Sequence, residues 1–214
     1  MNRTLFSLAA LALLTSTQIF AATAANKDDP AYCPPEQDAA PAVAPTVAPK
    51  LNFFVHSART GDIASLKKAL DEGVAINVFD NLDQTALIAA VSQSKLEAVK
   101  LLIQRGADVN LVDRAGWSPL HFAVYFSTET AVIDALIAGG AKLNAQNDRG
   151  ITPLYFASIT GHESQVKRLI AAGADRNVAS KSGYTPLRVA QIKGLQSTAA
   201  LLAPAGTQTK VNAP

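Results

Sequence analysis

Cysteine is almost missing from this 214-residue chain. Cys33 stands alone, so no disulfide can form within the chain and packing must hold the fold. Charge is sparse as well. Asp, Glu, Lys and Arg supply 17% of the residues and the formal net charge is +2, which gives no reason to expect a nucleic-acid partner. Aromatic residues are 6% against 49% hydrophobic overall, and with alanine so frequent the composition suits closely packed helices better than sheet sandwiches. The three histidines, His56, His121 and His162, show no close spacing to Cys or carboxylates that resembles a metal site. There is no Gly-x-Ser-x-Gly elbow and no phosphate-binding glycine loop. Cys33, within Pro30-Ala31-Tyr32-Cys33-Pro34, has no structured base beside it. No catalytic residue, metal or cofactor is therefore expected.

Two terminal segments read as something other than a folded domain. Arg3 precedes an apolar run from Leu5 to Leu14, then a more polar stretch, then the small residues Ala22-Thr23-Ala24. That order is the anatomy of a secretory signal peptide, residues 1–24, cleaved near Ala24. The alternative is an uncleaved anchor, since no charge occurs between Thr4 and Asn26, although Thr15-Ser16-Thr17-Gln18 interrupts the apolar stretch that a span requires. Residues 25–50 hold six prolines among alanines and a few acids, the composition of an extended, partly stiff linker. Residues 205–214 are small and polar and read as a flexible tail.

Between them the chain repeats itself. Thr152-Pro153-Leu154 recurs as Thr185-Pro186-Leu187, as Ser118-Pro119-Leu120 and, weakly, as Thr85-Ala86-Leu87, so that the leucines step by 33, 34 and 33 residues. Gly73-Val74, Gly106-Ala107, Gly140-Ala141 and Gly173-Ala174 keep the same period, each followed by an asparagine at fixed offset: Asn77, Asn110, Asn144, Asn177. The physical reasons are local. Thr152 is a helix N-cap, and Pro153 takes the first helical position, where a missing N–H costs nothing. Leu154 and Ala157 share a face, and Gly161 turns the chain through positive φ. Val166, Leu169 and Ile170 form the apolar stripe of a second helix, which Gly173 terminates. Asp148-Arg149-Gly150 fits a tight turn back to the next cap. One such unit cannot bury its own stripe, so units must stack.

These residues resemble the ankyrin repeat, with its Thr-Pro-Leu-His, Gly-His and Gly-Ala phrases. The resemblance runs over residues 51–204 and implies an all-α solenoid of about five helix-turn-helix units joined by β-turn or hairpin loops. The units fall near 51–79, 80–112, 113–146, 147–179 and 180–204. It also implies structural roles for His121 and His162, bonding backbone around turns. Departures from the pattern carry expectations of their own. The first unit lacks the entry phrase and reads as a cap whose Phe53-Phe54 pair packs on the second unit. Asp83 replaces the turn glycine, predicting a less regular turn. One extra residue within Tyr125–Thr130 predicts an altered rim between the helices of the third unit.

In ankyrin domains partners are gripped by turn tips and by the exposed face of each first helix. Carried onto this sequence, that implies a partner-binding surface of Arg114, Trp117, Tyr125, Phe126, Arg149, Ile151, Ile159, Lys181, Tyr184 and Lys193. The second unit offers Asn81, Leu82, Gln84, Ser92 and Gln93 at the same positions. Trp117, Tyr125, Phe126, Ile151, Ile159 and Tyr184 are expected to form a contiguous apolar strip, with packing of Trp117 and Tyr184 against neighbouring turns as the competing reading. Charge adds a direction. From Leu51 to Ala141 there are 7 basic and 10 acidic residues, whereas Lys142 to Lys193 holds 8 basic and 3 acidic, so Arg149, Lys181, Arg188 and Lys193 are placed to steer an acidic partner. The function expected is a non-catalytic protein-interaction module of the periplasm that binds or supports another exported protein. The alternative is an immunity protein or inhibitor of a periplasm-directed toxin or enzyme. The partner is another protein and not nucleic acid, no membrane is involved after signal cleavage, and a monomer is expected.

Overall fold

The repeats become helix pairs because each phrase supplies a start, a stripe and a stop. A computed structural model describes residues 49–126 and 130–203, all within the unit of the chain that spans residues 41–214. The expected signal peptide, most of the linker, the extra-residue site at 127–129 and the tail lie outside the described residues. Among the described residues there are ten helices. The first helices of the pairs are α1 (Pro49–Thr60), α3 (Ala86–Ser92), α5 (Pro119–Phe126), α7 (Pro153–Thr160) and α9 (Pro186–Ile192). The second helices are α2 (Ile63–Asp71), α4 (Leu96–Gln104), α6 (Thr130–Ala138), α8 (Glu163–Ala171) and α10 (Gln196–Leu202). Each first helix packs on the next first helix, each second helix on the next second helix, and the two members of a pair on each other. The result is a two-layered, all-α stack of five pairs.

The repeated leucines are its spine. Leu87, Leu120 and Leu154 in the first layer and Leu102, Leu136, Leu169 and Leu202 in the second are all buried, each worth about 1.5–3 kcal/mol by removal from water. Leu187, their counterpart in α9, is only half-buried, because no further pair follows it among the described residues. The caps behave as the phrases require. Thr85, Thr152 and Thr185 accept hydrogen bonds from the backbone N–H of Ile88, Tyr155 and Arg188 at 3.2, 3.2 and 3.3 Å.

The spaced asparagines tie one unit to the next. The Oδ1 atoms of Asn77, Asn110 and Asn144 accept from the backbone N–H of Asp108, Lys142 and Asp175 at 2.9, 2.8 and 2.9 Å. Ion pairs on the second layer add rungs between Asp71 and Arg105, and between Asp134 and Arg168.

Two expectations need correction here. Phe54 is buried, but Phe53 is 57% exposed. They are neighbours on a helix, about 100° apart around its axis, so only one can face α3. The turn at Asp83 is not irregular. Asp80 N–H donates to Gln84 O at 2.9 Å and Asp83 N–H to Asp80 O at 3.1 Å, the pattern of the Asn147–Ile151 turn. Asp83 itself adopts φ 57°, the left-handed region that short polar side chains tolerate. Its Oδ2 accepts from the backbone N–H of Arg114 at 2.6 Å, which holds it there. Gly150, at the equivalent place, has φ 72°, and a Cβ there would stand 2.8 Å from Lys181 N. Only glycine fits that turn, because the next turn lies directly against it.

Candidate protein-interaction site

The turns carry the site on a hydrogen-bonded frame. Asp80 Oδ1 accepts from the N–H of Leu82 and Gln84, Asp113 Oδ1 from Ala115 and Trp117, and Asn147 Oδ1 from Arg149 and Ile151, all at 2.8–3.0 Å. Adjacent turns are stitched by Asp148 N–H to Ala115 O at 3.1 Å and Lys181 N–H to Arg149 O at 2.9 Å. Burial pushes the Asp113 carboxyl above its ordinary range, and the Trp117 and Ala115 amides oppose the shift.

His121 locks the third unit to the fourth. Its Nδ1 accepts from Ser118 N–H at 3.1 Å and lies 2.8 Å from Ser118 Oγ, so its Nε2 carries the proton that is donated to Ile151 O at 2.9 Å. The ring is fully buried, and burial lowers its pKa to about 4. This is the backbone-bonding role that the family resemblance implied. His162 differs: its Nδ1 is buried without a hydrogen-bond partner.

Around His121 stands an aromatic cluster. Trp117 lies 4.7 Å from Phe156, 5.4 Å from Phe122 and 5.6 Å edge-on from Tyr125, measured between ring centroids. Tyr125 meets Phe126 edge-on at 4.8 Å, and Phe126 stacks on Phe122 at 6.0 Å. Phe122 and Phe156 are buried, Trp117 is half-buried, and Tyr125 and Phe126 are 42% and 41% exposed. Two large rings are therefore presented to solvent on a rigid floor of other rings. Phe122 and Phe156 were not singled out in the sequence. Both occupy the fourth position of their helices; there Phe122 meets Trp117, the residue before the N-cap, as a hydrophobic staple, and Phe156 packs on the same Trp117 from the next unit.

Ile151, expected on the exposed strip, is 2% exposed. Like Trp117 and Tyr184 it precedes an N-cap, and the smaller side chain is covered completely, so it is removed from the contact surface. Ile159 and Tyr184 are half-buried against the core. Trp117 packs on the rings of the first helices. Of the expected cations, Arg114 is exposed and its Nε sits 3.3 Å from Asp83 Oδ1. Lys181 and Lys193 are exposed and Arg149 is half-buried. The apolar surface also extends where it was not expected, at Phe53, and Ile192, at the exposed first-helix position expected to meet a partner, is 48% exposed. Exposed Phe53 and Leu82 flank a shallow groove with Asn52 and His56.

Among the described residues no group of His, Cys, Asp and Glu is placed to hold a metal ion, and no helix is long and apolar enough to cross a membrane.

Comparison with known proteins agrees with this geometry. A stretch of 84 residues, 37% of this chain, is 37% identical to 74% of the Notch-regulated ankyrin repeat-containing protein of Xenopus tropicalis. The human protein of the same name is 36% identical over 85 residues, covering 38% of this chain and 75% of the relative. Protein phosphatase 1 regulatory subunit 12A of Mus musculus is 49% identical over 47 residues, 22% of this chain but 5% of that protein. A family model described as ankyrin repeats in three copies matches residues 54–147 and again 126–213. The chain belongs to the ankyrin-repeat family, whose repeats are protein-interaction modules and typically not catalysts.

Proposed function

We propose that this chain is a periplasmic interaction module that binds another exported protein through the concave face and turn tips of its stack. One observation carries the reading: Tyr125 and Phe126 stand more than 40% exposed, side by side on a floor of other aromatic rings. Large aromatic anchors on a rigid support are the groups that dominate binding energy at interfaces, truncation of such an anchor costing on the order of 2 kcal/mol or more. Trp117 backs them and Arg114 stands on the adjoining tip. Export is proposed from residues 1–24, whose order of charge, apolar run and small residues matches a cleaved signal.

The test is recovery of the tagged chain from the source cell's periplasm, beside a Tyr125→Ala, Phe126→Ala variant shown by circular dichroism to be folded. A defined protein retained by the parent and lost by the variant is the expected result, and its identity decides between support and inhibition. Equal retention by both chains sinks the aromatic site. N-terminal sequencing of the recovered chain should begin close to residue 25. A chain that starts at Met1 and stays in the cytoplasm removes the periplasmic assignment.

A further inference from the structure

A row of backbone bonds joins the turns of the stack, and its first place is open. Arg114 N–H donates to Asp83 Oδ2 at 2.6 Å, Asp148 N–H to Ala115 O at 3.1 Å and Lys181 N–H to Arg149 O at 2.9 Å, so each turn is tied to the one before it. Asn81 holds the same position in the Asp80–Gln84 turn and is exposed. Among the described residues its N–H has no acceptor. The first unit has no turn to offer it. One period of 33 residues before Asp80–Gln84 lie residues 47–51, yet α1 begins at Pro49, about a helical turn ahead of the phase that the start of α3 at Ala86 sets. Residues 49–51 are therefore helix where the other units turn.

Beside the open place lies the groove between α1 and this turn, lined by Asn52, Phe53, Asn81 and Leu82 among others. Leu82 and Phe53, 66% and 57% exposed, are the two most exposed large hydrophobic side chains among the described residues. Arg59 fixes the floor, reaching Asp80 Oδ2 at 3.3 Å and Gln84 Oε1 at 3.0 Å. An unpaired backbone donor beside exposed apolar side chains is a template for an extended chain. The sequence supplies one directly before α1: Pro41-Ala42-Val43-Ala44-Pro45-Thr46-Val47-Ala48, without a charge. Extended, it puts Val43, Pro45 and Val47 on one face and only Ala and Thr on the other. Eight such residues reach about 25 Å, more than the rise of about 15 Å along α1 from Pro49 to Arg59.

We propose that residues 41–48 fold back along α1 and fill this groove, a backbone carbonyl accepting from Asn81 N–H while Val43, Pro45 and Val47 cover Phe53 and Leu82. The segment serves as the turn that the first unit lacks and closes that end of the stack to a second copy of the chain. Its prolines reduce the entropy lost on ordering, and attachment at Pro49 makes the contact intramolecular.

Amide hydrogen exchange in the full chain tests it. Exchange at Asn81 should be at least tenfold faster in a Val43→Asp, Val47→Asp variant than in the parent, while Asp148, whose acceptor is Ala115 O, exchanges alike in both. Equal exchange at Asn81 overturns the proposal. A spin label on Ala44→Cys in a Cys33→Ser background should broaden the signals of Phe53 and Leu82 and spare those of Ile192, and it decides the matter if the double variant also loses protection at Asp148. A label that leaves Phe53 and Leu82 sharp overturns the proposal. So does protection of Asn81 that grows with protein concentration, because the occupant is then a second copy.

Discussion

The turns that lead into the third and fourth units and the turn that leads into the fifth trace one backbone path but are held differently. Asp113 and Asn147 each accept two amides of their own turn through Oδ1. Ser180, at the same position, carries a hydroxyl one bond shorter, and its Oγ is buried without a hydrogen-bond partner. The Ser180–Tyr184 turn still closes, with Ser180 N–H donating to Tyr184 O at 2.9 Å and Gly183 N–H to Ser180 O at 2.9 Å. Repetition of a backbone therefore does not require repetition of the side-chain chemistry that supports it. The bond to the preceding turn is kept in both cases, Asp148 N–H to Ala115 O and Lys181 N–H to Arg149 O, so the Ser180 turn retains that tie without the side-chain acceptor. The fifth unit is thus tied on one side, with Leu187 half-buried, and is the end from which the stack should open first.

The largest effect that probes this contrast is expected at His121, in the well-tied region. Its imidazole binds a proton near pH 6.5 in the unfolded chain but only near pH 4 in the folded one. The unfolded state therefore holds more protons between these values. Stability should be full above about pH 6.5 and fall by roughly 3 kcal/mol as the pH drops to about 4. Urea melts across that range should show the slope, and His121→Gln should flatten it. An equal slope in the variant places the proton-linked group elsewhere.

Next comes removal of the turn acceptors. Asn147→Ala leaves two turn amides without their acceptor and should cost about 2–3 kcal/mol, read as a lower urea midpoint. Ser180→Ala removes a hydroxyl with no partner and should cost no more than about 0.5 kcal/mol. Equal losses would erase the contrast between the turns. The reverse experiment is Ser180→Asn, which restores the reach of Asn147 and should stabilise by about 1 kcal/mol. Raised hydrogen-exchange protection across α9 and α10 would locate the gain. The smallest effect is expected for Asp83→Gly. Relief of the left-handed backbone and loss of the bonds to Arg114 oppose one another, leaving a change within about 0.5 kcal/mol in thermal melts.

Most of the fold was legible in the sequence because its signals are local. A threonine before a proline, a leucine every 33 or 34 residues and a glycine after each stripe state the helices and their order. The asparagines were visible as a pattern, but their purpose was not, since the amide each receives lies 31 or 32 residues further on. The site was legible in part. Tyr125 and Phe126 are exposed as expected. Ile151 was misplaced because an apolar residue at a turn reads as surface unless the cap that follows it is considered. Phe53 was misplaced because two adjacent aromatics give no sign of which one faces the next helix. Asp83 was read as a defect because glycine is the usual answer to positive φ, and a carboxylate that binds the next turn is another.

The asparagine rungs have a consequence for how such a chain varies. Each one receives a backbone N–H, and the residues that provide it are Asp108, Lys142 and Asp175. A carboxylate, an ammonium and a carboxylate serve alike in the rung, because the donor offers only its backbone to it; the Asp108 and Asp175 carboxylates are engaged separately, by the N–H of Asn110 and Asn177. The joint between units is therefore indifferent to the identity of half its members. It also absorbs a change of length: the span from Asn110 to Lys142 is one residue longer than the other two, and its bond is no weaker in geometry. Units joined in this way can be lengthened, exchanged or resurfaced without renegotiating the joint, so the surface that meets a partner is left free to diversify while the stack beneath it stays in register.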